Sequence, residues 1–173
     1  MQKITPFLWY DTQAEEEINF YTSIFSAAGG SASGGKNSKV GSTSRYDETG
    51  AAASGRPKGS VMTASFQLNG QDFTAINGGP HFKFTEAISF VVNCENQEEV
   101  DYYWEKLSEG GDEKAQMCGW LKDKFGLSWQ IVPTVLSKLL TDKDAKKSQR
   151  VMQAMLQMKK INIAELEKAY KEQ

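Results

Sequence analysis

The sequence predicts an α+β fold built from two copies of a strand–helix–strands unit, followed by a helical extension. Two observations predict it. The segment EEINFY at 16–21 recurs as EEVDYY at 98–103, identical or similar at every position and offset by 82 residues. Each copy is also preceded by one strand-like segment and followed by two more that are joined by a turn containing glycine.

The first copy opens with an aromatic, β-prone strand at 3–10. Thr12 and Glu15 have the spacing of a capping box, and apolar residues at helical spacing predict a helix over 12–26. Further strands are predicted at 39–46, 60–68 and 72–76. The last two strands are separated by Asn69-Gly70, the strongest short signal for a β-hairpin.

Two loops interrupt the first copy. The stretch GSASGGKN at 30–37 approaches the phosphate-binding pattern GxxxxGK(S/T). It follows a helix instead of a strand, however, and Asn37 stands where Ser or Thr would bind magnesium. We therefore interpret it as a linker, and we interpret DETGAAASGRPKG at 47–59 as a second loop.

The second copy lacks those loops. Asn96 and Glu99 are spaced as the cap of its helix, and the chain after Pro133 is predicted to be helical. Asn162 and Glu165 have the spacing of a cap for the last helix. The strands of this copy are predicted at 87–93, 116–122 and 127–132. In the extension, a methionine-rich face packs on its own sheet or on a second subunit; its residues are Met152, Met155, Leu156 and Met158.

Composition excludes several classes of function. A net charge of −2 and a pI of about 5.5 give no general attraction to nucleic acid or to an anionic membrane. We find no apolar run of the ~20 residues that a membrane span needs and no signal peptide, so we expect a cytoplasmic protein. Cys94 and Cys118 fit no zinc-binding spacing, and the single histidine, His81, lies in a turn-like segment.

Several stretches of the chain resemble the PhnB-like family, often labelled 3-demethylubiquinone-9 3-methyltransferase, of the glyoxalase/bleomycin-resistance (vicinal oxygen chelate) superfamily. They are ITPFLWYDTQAEEEINFY, GSVMTASFQLNGQDFTAINGGP, EAISFVVNCENQEEVDYYWEKL, CGWLKDKFGLSWQIVP and RVMQAMLQMKKINIAELE. The resemblance implies two βαβββ modules that form a curved sheet trough, and a homodimer. We assign module one to about 1–82, module two to about 83–135 and the helical extension to 136–173.

The resemblance also gives positions for metal ligands, on the first and last strands of each module. Transferred to this chain, those positions fall at about Ile4, Thr74, Glu86 and Gln130. Isoleucine cannot coordinate a metal, and threonine and glutamine are weak neutral ligands, so we expect no metal and no cofactor. The chain also lacks the glycine-rich strand-to-helix turn of a nucleotide-like cofactor site, so the methyltransferase label has no support from a motif.

The trough is the predicted binding site. Strand alternation puts Gln130 on one face and Trp129 under the helix. The predicted ligand-binding residues are Thr74, Asn77, Glu86, Phe90, Trp120 and Gln130, with Asn77 and Trp120 near the mouth. Glu86 is the predicted catalytic residue, because a carboxylate in a half-buried trough would have a raised pKa; the alternative that stays open is a solvated charge at the end of a strand.

The favoured function is binding of a small molecule without a metal. Two alternatives stay open: a metal-poor enzyme of the superfamily, with a lyase, dioxygenase or transferase label, and a dimeric interaction protein.

Overall fold

The computed structural model describes residues 2–28 and 37–172, so the predicted linker lies outside the described residues except for Asn37. The chain divides into two compact units, Met1–Lys83 and Phe84–Gln173. Within the described ranges, no helix is long and apolar enough to cross a membrane.

The first unit is a four-stranded sheet with a helix packed on one face. Its sheet has the order β1-β4-β3-β2, in which β1 runs parallel to β4 and the other neighbours are antiparallel. Its elements are β1 (Phe7–Tyr10), α1 (Ala14–Ala27), β2 (Lys39–Arg45), α2 (Glu48–Ser54), β3 (Val61–Leu68) and β4 (Gln71–Asn77). The predicted hairpin is confirmed: Asn69 and Gly70, with φ of 49° and 82°, form the two-residue turn between β3 and β4.

Helix α1 forms the core of the first unit because its apolar residues recur on one side. Ala14, Ile18, Tyr21 and Phe25 are all buried, as helical spacing predicts. The predicted capping box is wrong. The N-cap is Gln13, whose side chain makes no cap hydrogen bond, and the N–H of Ala14 donates instead to a side chain of β4.

Helix α2 corrects the loop predicted at 47–59. The carboxylate of Asp47 accepts a hydrogen bond from Gly50 N at 2.7 Å, and Gly55 ends the helix in the left-handed conformation with φ of 70°. Both are standard signals for a helix end, and they enclose a run of three alanines with high helix propensity. The apolar pattern missed this helix because it has no buried face.

The second unit is a smaller sheet that carries one helix and a helical extension. Its sheet has three strands among the described residues, in the order β5-β7-β6, with β5 parallel to β7 and β6 antiparallel to it. Its elements are β5 (Ser89–Cys94), α3 (Gln97–Ser108), a short 3-10 helix (Glu113–Ala115), β6 (Trp120–Lys122), β7 (Ser128–Pro133), α4 (Thr134–Leu140), α5 (Ala145–Met155) and α6 (Ile163–Lys171).

Two asparagine caps and one strand boundary are set locally in this unit. The predicted caps are confirmed, because Asn96 accepts a hydrogen bond from Glu99 N and Asn162 accepts one from Glu165 N. Strand β6 is shorter than the predicted 116–122, because Cys118 has a φ of 51° and breaks the extended backbone before Trp120.

The helical extension has a core within the second unit. That core consists of Leu136, Leu139, Val151, Ile161 and Leu166. Of the methionine-rich face, Met155 and Met158 pack against this core, whereas Met152 and Leu156 are exposed. The face is therefore split between burial in its own unit and the surface.

Candidate functional site

In the first unit, the predicted site residues lie on opposite faces of the sheet. Thr74 is half-buried on the face away from α1, in register with Phe7 on one side and Ser65 on the other. Its neighbours in the strand, Phe73 and Ala75, are buried on the α1 side. We call the side away from the main helix of each unit its open face.

Asn77 lies on the buried side instead and serves the fold. Its Oδ1 accepts a hydrogen bond from Ala14 N at 2.9 Å, and its Nδ2 donates to Val61 O at 3.1 Å. The side chain is thus the missing cap of α1, supplied by a strand distant in sequence. The predicted role at the mouth of a trough is not what these contacts indicate.

In the second unit, Gln130 and Trp120 share the open face, with Val91 opposite Gln130 on the other side. Both predicted residues are half-buried, and Gln130 Nε2 donates a hydrogen bond to Ser89 Oγ at 2.9 Å. Trp129 lies on the other face under α3, as predicted, and is buried. This part of the predicted site therefore has a polar amide beside an aromatic side chain.

Phe90 is a correction. It is in register with Trp129, and their ring centroids are 5.7 Å apart, so Phe90 belongs to the helix-facing side and not to the open face. The prediction failed because strands β5 and β7 are paired with an odd difference in residue number. An even-numbered residue of β7 therefore shares its face with odd-numbered residues of β5.

Glu86 lies before β5 and forms an ion pair with Lys122 of β6. The Lys122 ammonium, chiefly through this hydrogen bond, lowers the pKa of the carboxyl, helped by a backbone hydrogen bond. The expected raised pKa is therefore wrong. The Glu86 side chain is 61% exposed, so it resembles a surface charge more than a buried acid.

The pairing of strands also changes the alignment of the two copies. Phe7 is opposite Thr74 in the first sheet, and Val91 is opposite Gln130 in the second. With Thr74 equivalent to Gln130, the first strands are offset by 84 residues, although the helices are offset by 82. The equivalent of Ile4 is then Ile88 instead of Glu86.

This shift removes the last strong ligand from the positions where the superfamily binds a metal. They now read Ile4, Thr74, Ile88 and Gln130, of which none offers a carboxylate, imidazole or thiolate. In the described ranges, no group of three or more His, Cys, Asp or Glu side chains is placed to hold a metal ion. The residues present do not fit the metal site of the superfamily.

The sequence reasoning missed a cleft of about 400 Å³ in the second unit, at the N-termini of α3 and α6. It is lined by Glu95, Asn96, Gln97, Val135, Asn162, Ile163, Ala164 and Glu167. The two asparagine caps were recognisable in the sequence, but their proximity depends on how the helical extension packs. Gln97 joins the two helices, because its Oε1 accepts a hydrogen bond from Ile163 N at 2.8 Å.

Comparison with known proteins places these features in a family. A family model described as 3-demethylubiquinone-9 3-methyltransferase matches residues 2–132. The PhnB protein from Bacillus cereus is 39% identical, with 77% of this chain and 100% of that chain covered and a TM-score of 0.60. Among proteins with curated descriptions, none matches this chain.

Two more distant structures share the fold. Protein PA1353 from Pseudomonas aeruginosa is 19% identical, with 77% of this chain and 98% of that chain covered and a TM-score of 0.55. The fosfomycin resistance protein FosX from Listeria monocytogenes is 14% identical, with 82% of this chain and 98% of that chain covered and a TM-score of 0.53. The α+β fold predicted from the resemblance to the glyoxalase superfamily is confirmed.

Proposed function

We propose that this chain, which belongs to the 3-demethylubiquinone-9 3-methyltransferase family, binds a small organic molecule on the open face of its second sheet without a protein-bound metal. One observation carries the proposal. The helix-facing side of this sheet is apolar and buried, whereas its open face holds the amide of Gln130 beside the half-buried ring of Trp120. An aromatic surface next to a few polar groups is typical of small-molecule sites.

The chemistry of the face favours binding over acid–base catalysis. The lowered pKa of Glu86 leaves it ionised at neutral pH, so it is a poor general acid and a weak base. Thr74 and Gln130, at the positions for metal ligands, provide hydrogen bonds only. We therefore do not assign the methyl transfer named in the family description to this chain.

A fragment screen by ¹H–¹⁵N NMR on the full chain tests the proposal. We expect binders that shift the backbone amides of 120–122, 128–132 and 89–93. Gln130→Ala and Trp120→Ala should each weaken binding about tenfold, the effect of roughly 1.4 kcal/mol. Gln153→Ala, a change at an exposed position of α5, is the matched control and should leave binding unchanged.

Absence of any fragment that perturbs this face would refute the proposal. Equal binding by wild type and both variants would refute the assignment of the two residues. Elemental analysis of the purified protein checks the metal-free part, and a stoichiometric transition metal that survives dialysis would contradict it.

We also propose that the chain forms a homodimer. The two copies expose large apolar side chains at equivalent positions in and just before their first strands: Ile4 (84% exposed) matches Ile88 (70%), and Phe7 (57%) matches Val91 (50%). Isolated exposed apolar residues are ordinary, but the same pair exposed twice favours a surface that a second subunit covers.

Light scattering coupled to size-exclusion chromatography tests the dimer. We expect a mass of twice 19.2 kDa, and a shift to monomer in Ile88→Glu. Val40→Glu, at an exposed position (47%) of strand β2, is the control and should remain dimeric. A monomeric wild type would refute the proposal.

A further inference from the structure

Three side chains on the open face of the second sheet form a row of hydrogen-bond donors. Ser89 of β5 is in register with Ser128 of β7, and Ser128 is in register with Lys122 of β6. By strand alternation all three lie on the face of Gln130, opposite to Trp129. We call Ser89, Ser128 and Lys122 the donor row.

The central hydroxyl of the donor row lacks a partner. Ser128 is 1% exposed, and its Oγ makes no hydrogen bond with any of the described residues. A buried polar group left in this state costs about 1–3 kcal/mol, so such groups normally have a reason in function or a bound partner. Ser89 Oγ accepts a hydrogen bond from Gln130 Nε2, and its hydroxyl proton can be donated to a ligand.

The charge at the end of the row is held by an exchangeable partner. Lys122 pairs with Glu86, and the carboxylate side chain is 61% exposed while the lysine is 24% exposed. Ion pairs that contact solvent contribute about 0–1 kcal/mol, so another anion of good geometry can replace Glu86. The Glu86 carboxylate thus shows which type of group Lys122 binds.

The first unit provides an internal comparison. Strand pairing makes Asp72 the equivalent of Ser128 and Gln67 the equivalent of Lys122. In the first unit these two side chains bond to each other, because Gln67 Nε2 donates a hydrogen bond to Asp72 Oδ1 at 2.5 Å. The equivalent positions therefore hold a carboxylate and an amide in the first unit, but a hydroxyl and an ammonium in the second.

We propose that the donor row binds the anionic oxygens of a small organic molecule, a carboxylate or a phosphonate, whose flat apolar part contacts Trp120. Trp120 is in register with Gln130, next to the donor row on the same face. The anion accepts from Ser128, Ser89 and the Lys122 ammonium, which releases Glu86. This inference rests on the proposed binding of a small molecule to this face and specifies its chemistry.

NMR titration of the ¹⁵N-labelled full chain tests it with three probes of one shape: benzoate, phenylphosphonate and neutral benzamide. We expect benzoate or phenylphosphonate to shift the amides of 89, 122 and 128, and to bind at least about tenfold more tightly than benzamide, as expected for charge-assisted hydrogen bonds. The stronger of the two anions identifies the class of oxyanion.

Variants separate the donor row from general effects of charge. Lys122→Met should weaken anion binding about tenfold or more, Ser128→Ala about fivefold, and Glu86→Gln should strengthen it because the competing carboxylate is lost. Lys122→Arg keeps the charge and should retain anion binding. It tests the role of the charge if Lys122→Met folds poorly. Lys138→Met, at an exposed position of α4, changes the net charge equally and should have no effect.

The outcomes distinguish this inference from the proposed function. Benzamide bound on this face as tightly as the anions would overturn the anion site, yet it would support a small-molecule site. Anion binding that Lys122→Met and Ser128→Ala leave unchanged would likewise overturn the donor row. No perturbation of the face by these probes or by a wider fragment screen would refute both.

Discussion

Replacing Asn77 by alanine should destabilise the first unit, because the side chain connects β4 to the start of α1. The variant leaves two main-chain groups without partners: the N–H of Ala14, which is fully buried, and the carbonyl of Val61, which is 2% exposed. Each unsatisfied buried group costs about 1–3 kcal/mol, so for two groups we expect a loss of about 2–6 kcal/mol in the free energy of unfolding. That range lies above the value of about 1 kcal/mol for an ordinary helix cap, because a second buried group also loses its partner.

Urea unfolding followed by circular dichroism measures the loss, and hydrogen exchange at the Ala14 amide locates it. Asn93→Ala, at an exposed position of β5, is the matched control and should change stability by no more than about 0.5 kcal/mol. The reasoning is refuted if Asn77→Ala unfolds at the wild-type urea concentration, or if the Ala14 amide keeps its protection.

Three further predictions concern the second unit. In native protein at pH 8, only the thiol of the partly exposed Cys118 should react with a disulfide reagent. Cys94 should not react, because it is fully buried and because burial and the nearby Glu99 and Glu95 charges raise its pKa to about 12. Rapid reaction of two thiols per chain would contradict this. Because that pKa is raised from 9.0, stability should be complete below pH 9 and fall as the pH rises towards 12, and Cys94→Ala should flatten this part of a urea-midpoint profile. The Asp123 carboxylate accepts hydrogen bonds from two turn amides and from Trp129 Nε1, the last at 2.8 Å. Asp123→Ala should therefore lower the free energy of unfolding by about 2–4 kcal/mol and shift tryptophan emission to the red. An unchanged urea midpoint would argue against this role.

Signals that act within a few residues were read correctly from the sequence. Asn69-Gly70 gives the hairpin, and Asn96 and Asn162 begin their helices, because the groups that decide each feature are at most three residues apart. Helix α2 was missed although its signals are equally local: Asp47 and Gly55 mark its ends. Apolar periodicity does not reveal this helix, because the helix has no buried residue.

Signals that depend on distant residues were misread. The capping box at Thr12 is a plausible local pattern, but Asn77 caps the helix from β4, 63 residues away from Ala14. Nothing in the spacing of residues 12–15 indicates that competitor. The same limit applies to Lys122, whose ammonium reverses the expected shift in the pKa of Glu86 from a strand 36 residues later.

The placement of Glu86 at a ligand position depended on a single number, the offset between the two copies. The similarity of EEINFY and EEVDYY gives 82, but the connection from strand to helix is two residues shorter in the second copy when it is counted between equivalent residues: Tyr10 precedes Ile18 by eight positions, and Cys94 precedes Val100 by six. Strand pairing gives 84, an even change that keeps Gln130 on the open face while it moves Glu86 out of the ligand position. Duplication therefore predicted the fold well, since a helix and a sheet tolerate such a shift. A site needs side chains placed to within one residue, and that placement is set by hydrogen-bond register, which an offset taken from helices does not determine.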